Sequence, residues 1–158
     1  MKDVIPHERI ESRILELRGR KVMLDRDLAE LYGVRAIALR QQVKRNSERF
    51  PGDFMFQLTE EELDAMVSQN VIASRKTAGG YLPLVFTEQG VAMLSSVLRS
   101  PRAVQVNIQI IRTFVKLREM IQGYHELIER IQKIERRQDA ESREVWKAIQ
   151  LLQNTVMK

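Results

Sequence analysis

In LRQQVKRNSERF (residues 39–50), Gln41, Lys44 and Arg45 follow one another at helical spacing, with Ile37 one turn before them. At about 100° per residue, Ile37, Gln41, Lys44, Arg45 and Glu48 share one side of a helix, with Arg40 at its margin. Ala36, Leu39, Val43 and Asn46 share the other. A side-chain amide pairs bidentately with an adenine edge and a guanidinium with a guanine edge, so Gln41 and Arg45 are candidate base readers. Ile37 suits either a thymine methyl or a packing contact with another segment. Arg35, Arg40, Lys44 and Arg49 suit phosphate contacts. Arg75 and Lys76, on a glycine-bearing loop, suit either a wing lying along a nucleic-acid backbone or an ordinary solvated loop.

Other chemistry is thinly supplied. His7 and His125 stand 118 residues apart, and neither has ligand or triad spacing. Phosphate-binding glycine loops, H-E-x-x-H and nucleophile elbows are absent. There is no cysteine, hence no thiolate nucleophile, disulfide or cysteine metal site. The Glu60–Asp64 acids are better explained as a capped first turn than as a metal site. Gly79-Gly80 reads as hairpin loop rather than phosphate cradle. The expectation is a non-enzyme with no cofactor and no metal.

The elements that must position the basic face can be read on either side of it. DRDLAELYG (25–33) is a helix with Asp25 as a plausible N-cap, the acids Asp25 and Asp27 about its first turn and Gly33 at its close. Ala29 lets a second helix, about 36–48, approach closely, and Gly33 permits the tight turn between them, as in a helix-turn-helix. Tyr32 reads as core with its hydroxyl at the edge. Pro51 forbids continuation and pushes Phe50 towards extended geometry. DFMFQL then reads as a strand with Phe54, Phe56 and Leu58 on one side, anchoring the helix exit. Thr59 and Glu62 form a capping box for a helix over about 60–68. Residues 12–24 are either a strand pair about Gly19 or a helix leading into one strand. Residues 74–86 are a basic loop leading into the second arm of a hairpin. Thr87 caps the helix after it, and Ser100-Pro101 starts a long amphipathic one.

A length of 158 residues fits one average domain, or a smaller one with an appendage. With 44% apolar and 30% charged residues the chain is not a disordered polymer. The N-terminal stretch is charged throughout and lacks an apolar h-region, and no apolar run approaches the roughly 20 residues that span a bilayer. A soluble, cytoplasmic protein without membrane partners is expected. Residues 35–49 hold five bases against one acid, and residues 53–64 hold five acids and no base. A basic patch beside an acidic one is felt by polyanions, although a solvated helix face has the same composition.

From about Gly123 the composition shifts to charged residues without proline. Leu117, Ile121, Tyr124, Ile128, Ile131, Glu135, Gln138, Ser142, Val145, Ile149, Leu152 and Val156 follow a 4,3,4,3 spacing, a heptad with three consecutive polar core positions. Leu127, Ile131, Ile134 and Gln138 offer a competing register. At about 1.5 Å per residue the last 35 residues would reach roughly 50 Å. Ile121, Tyr124, Ile128, Ile131, Val145, Ile149, Leu152 and Val156 are the candidate oligomerisation residues, a dimer being favoured. The expected division is a DNA-binding domain over 1–122 and a coiled-coil helix over 123–158.

The motifs LAELYGV, VKRNSERFPGDFMFQLTEEE and YLPLVFTEQGVAMLSSVL together resemble the ORF-six N-terminal domain of bacterial and phage proteins, related to the KilA-N and Bro-N domains. The resemblance covers about residues 8–120. It implies a DNA-binding domain of phage or mobile-element regulators, often joined to a variable C-terminal module. The expected fold class is α+β: a helix-turn-helix-like, winged domain with short β-hairpins, followed by a long coiled-coil helix. The expected function is an oligomeric transcriptional regulator that binds double-stranded DNA. The alternative is an adaptor whose coiled coil binds a protein and whose basic patch docks an acidic partner.

Overall fold

The computed structural model describes residues 5–73 and 81–156. Eleven elements follow in order: α1 (His7–Glu11), β1 (Ile14–Leu17), β2 (Arg20–Leu24), α2 (Asp25–Tyr32), α3 (Ala36–Arg45), a 3-10 turn (Ser47–Arg49), β3 (Met55–Gln57), α4 (Glu60–Ser68), β4 (Leu84–Thr87), α5 (Glu88–Leu98) and α6 (Pro101–Val156). The chain divides into two compact units, Met1–Val115 and Lys116–Lys158.

The first unit is built on a four-stranded antiparallel sheet of order β1-β2-β4-β3. Of the two readings of residues 12–24, the strand pair is the one that forms, turning through Arg18 and Gly19, both at positive φ. β4 does pair antiparallel with β3, the strand before it, but α4 replaces the turn of a hairpin between them. β4 is central, paired with β2 on one side and β3 on the other. Apolar runs on both central strands make this possible, since each must bury both of its faces.

Alternation along the strands separates two clusters. Met23, Phe86 and Met55 face the one filled by α2, α3, α5 and the start of α6, with Leu28, Leu31, Leu39, Val43, Val91, Leu94 and Ile110. Val22, Leu24, Val85 and Phe56 face the other, with Leu58 and with Leu63 and Met66 of α4. Each fully buried aliphatic side chain contributes roughly 1.5–3 kcal/mol relative to exposure. Because α3 and α4 belong to different clusters, the basic and acidic stretches lie on opposite faces of the sheet, not side by side.

The caps fall where the residue types put them. Thr59 and Glu62 form the reciprocal capping box, Thr87 accepts from the Gly90 amide, and Ser100 accepts from the Ala103 amide. Tyr32 differs from expectation. Its hydroxyl is not at an edge but buried, donating to Asn107 Oδ1, while Asn107 Nδ2 donates to the Val91 carbonyl at 2.7 Å. Burial pushes the Tyr32 phenol well above its usual range.

In the second unit α6 continues as a single helix to Val156. Most of its apolar heptad side chains are exposed: Tyr124 is 62% exposed, and Ile121, Ile131, Val145, Ile149 and Leu152 are also exposed, while Leu117 and Ile128 are half-buried. The side chain of Val156 lies outside the described set. No helix among the described residues is long and apolar enough to cross a membrane.

Candidate nucleic-acid interface

α2 and α3 are joined by a turn that depends on Gly33. Its φ of 74° is left-handed, and the Val34 amide reaches back to the Ala29 carbonyl at 3.0 Å, satisfying a helix-end acceptor. A Cβ at Gly33 would lie 3.0 Å from Arg102 Nε, so the position is crowded as well as left-handed. Ala29, only 2% exposed, sits in the core cluster shared by the two helices.

α3 buries Leu39 and Val43, half-buries Ala36 and Asn46, and shows water Ile37, Gln41, Lys44 and Arg45. The helix ends at Arg45, earlier than its sequence pattern suggests, because Asn46 turns back and donates from Nδ2 to the Gln42 carbonyl at 2.8 Å. Ile37 is 44% exposed, so no described segment packs over it. Arg35, Gln41, Lys44 and Arg45 make no side-chain hydrogen bond or ion pair among the described residues, which leaves their donors available. No carboxylate lies in the first turn of α3, and Lys44 and Arg45 occupy its last, where cations complement the helix dipole.

Two of the expected phosphate contacts are engaged instead within the protein. The Arg40 guanidinium donates to Asp25 Oδ2 at 3.1 Å and lies over the Tyr81 ring, 5.1 Å from its centroid. Arg49 donates to Ser96 Oγ at 3.2 Å, tying the turn after α3 to α5. Arg75 and Lys76 fall outside the described residues.

The anchoring of the helix exit also differs from expectation. Phe50 provides it, packing edge-on against Phe86 with centroids 5.9 Å apart. Phe54 lies in the turn before β3, and Phe56 and Leu58 join the opposite cluster.

Sequence reasoning missed two residues. Asp25, expected as an N-cap in the acidic first turn, is the first residue of α2 and not its cap; it is 1% exposed and accepts from the amides of Arg26 and Leu84 and from Arg40. No local pattern signals a contact with residues 15 and 59 positions away. Tyr81 lines a cleft of about 500 Å3 together with Arg40, Lys44, Ser47 and Gln57. An aromatic directly after a basic, glycine-rich loop was the available signal for it.

The ORF6N domain model matches residues 12–97, more than half of the chain. The chain belongs to the ORF6N domain family. The match begins just before β1 and ends within α5, so it takes in the whole sheet and α2–α4, including every described candidate contact on and around α3. ORF6N is a phage-type family, and the motifs that resemble it form α2 and its turn, the end of α3 through β3 into α4, and β4 with α5. No curated protein and no solved structure matches the chain.

Proposed function

We propose that this ORF6N protein is a DNA-binding regulator whose α2-turn-α3 unit acts as a helix-turn-helix, with α3 in the major groove. The observation that carries this reading is the outward face of α3. A half-exposed isoleucine, an amide and three cations stand there with no partner among the described residues. A recognition helix has that composition: Gln41 and Arg45 for base edges, Ile37 for a thymine methyl, Arg35 and Lys44 for phosphates. Arg40 is not among the contacts, since Asp25 holds it, and Arg49 reaches phosphate only by leaving Ser96. Tyr81 lies against Arg40 of α3, and Arg75 and Lys76, which precede it in sequence, stay the candidates for a wing. The C-terminal helix joins copies of the chain through its exposed heptad face, which supplies the second reading head that regulators of this design need.

Fluorescence anisotropy with random-sequence duplex DNA at two salt concentrations tests this. Steeply salt-dependent binding is expected, because each neutralised phosphate releases counterions. No binding even at low salt would overturn it.

A further inference from the structure

Resting on the self-association proposed above, we infer that the C-terminal helix pairs with a second copy of itself in antiparallel orientation, with Glu135 of one chain facing Gln138 of the other. The polar middle of the heptad decides the orientation. Ile121, Ile128, Glu135, Ser142 and Ile149 occupy a positions, and Leu117, Tyr124, Ile131, Gln138, Val145 and Leu152 occupy d positions. In a parallel pair a faces a, so the two Glu135 carboxylates would meet in one desolvated layer, a like-charge contact that disfavours ionisation of both. Reversing one helix makes a face d. The two carboxylates then separate, and each can accept from the side-chain amide of Gln138, a charge-assisted hydrogen bond.

That register is singled out among the antiparallel ones. It aligns the heptads over their full length, bringing Ile128 opposite Val145 and Ile121 opposite Leu152. Sliding by one heptad in one direction sets Glu135 against Ile131, and in the other against Val145, leaving a buried carboxylate on an aliphatic side chain in both cases. The pairing is isologous, each contact occurring twice about a two-fold axis, so it closes on two chains.

The flanks of the seam agree. Leu127 and Ile134, exposed apolar residues beside it, fall across from Ala148 and Glu141, whose small side chain and aliphatic stem leave room for them. Trp146, 64% exposed, falls across from His125. No like charges face one another across either flank. In this arrangement the two N-terminal units attach, at Lys116, to opposite ends of the coil.

The chain has no cysteine, so a single introduced thiol can carry a spin label. Glu119 is exposed and lies outside the seam. Pulsed electron spin resonance on full-length Glu119→Cys, with sedimentation of the same sample, is the test. Two chains and one separation of ~50 Å are expected, from about 1.5 Å of rise per residue. A separation of roughly 20 Å, the width of two adjacent helices, means a parallel pair and overturns the orientation while leaving self-association intact. A monomer overturns both, and three or more chains overturn the pair. Mixing Glu126→Cys with Lys147→Cys checks the register, because these positions lie directly across the coil and should give the shorter distance.

Discussion

Arg40 and Asp25 form an ion pair at 3.1 Å in which the carboxylate is almost wholly buried and the guanidinium is three-quarters so. The same carboxylate oxygen accepts from the Leu84 amide at 3.2 Å. One side chain thus joins the start of α2, the middle of α3 and the start of β4. α3 is held to the sheet by a charge that lies on the helix itself.

Breaking that pair should cost stability more than DNA affinity. Arg40→Ala leaves a buried carboxylate without its cation, a loss of about 3–5 kcal/mol when a buried pair loses one partner. Urea unfolding should show the drop. At concentrations where the variant remains folded, its affinity for duplex DNA should stay near that of the parent. A large affinity loss in a stable Arg40→Ala protein would return Arg40 to the interface.

Arg45 and Lys44 should behave differently from Arg40 and from each other. Arg45→Ala should weaken binding by about 1–3 kcal/mol and relax preference at one base pair. Lys44→Ala should weaken all sequences alike and reduce the salt slope by about one. Neither should change the unfolding midpoint much, since both side chains are exposed. Titrations of a selected site and a scrambled one at several salt concentrations separate the two effects.

Gly90 marks the closest approach of α5 to the chain before β3. A Cβ there would lie 2.0 Å from the Phe54 carbonyl oxygen, which accepts hydrogen bonds from the Thr87 amide and hydroxyl. Backbone cannot swing aside as a side-chain tip does. Gly90→Ala should therefore destabilise by at least the 1–3 kcal/mol of an overpacked core, despite alanine's better helix propensity. Thermal unfolding measures it, and an unchanged or higher Tm would contradict the packing described.

Glu62 is held down at about 2 from its ordinary 4.5, first by the hydrogen bonds of Arg18 at 2.8 and 2.9 Å and then by the amide of Thr59. Its folded value lies below its unfolded one, so the stability it supplies is complete above about pH 4.5 and lost as pH falls towards 2. Arg18→Ala removes the main cause of the shift. The stability gap between parent and variant should narrow over that acid window and stay constant above it. A gap independent of pH would mean that Arg18 acts through its packing on the Phe56 ring, 4.2 Å away, rather than through Glu62.

Local features were legible in the sequence because their physics is local. Thr59 with Glu62, Thr87, Ser100-Pro101 and Gly33 each satisfy backbone groups within four residues of themselves, so their types alone declare helix ends. The division of α3 into a buried Leu39–Val43 stripe and an outward Gln41–Arg45 face follows from periodicity in the same way. The heptad after Val115 is readable for the same reason, being a repeat along one helix.

What the tertiary structure alone decided are relationships between distant segments. β4 lies between β2 and β3 because two apolar strands must each be covered on both edges and both faces, and no local signal gives that order. The acids of α4 and the bases of α3, neighbours in sequence, are parted by the sheet because alternation sends their anchors to opposite sides. Arg40 looked like its exposed neighbours. Whether a cation at the margin of a helix meets water, a phosphate or a buried carboxylate depends on what the fold brings within 4 Å of it, and here the fold brings Asp25.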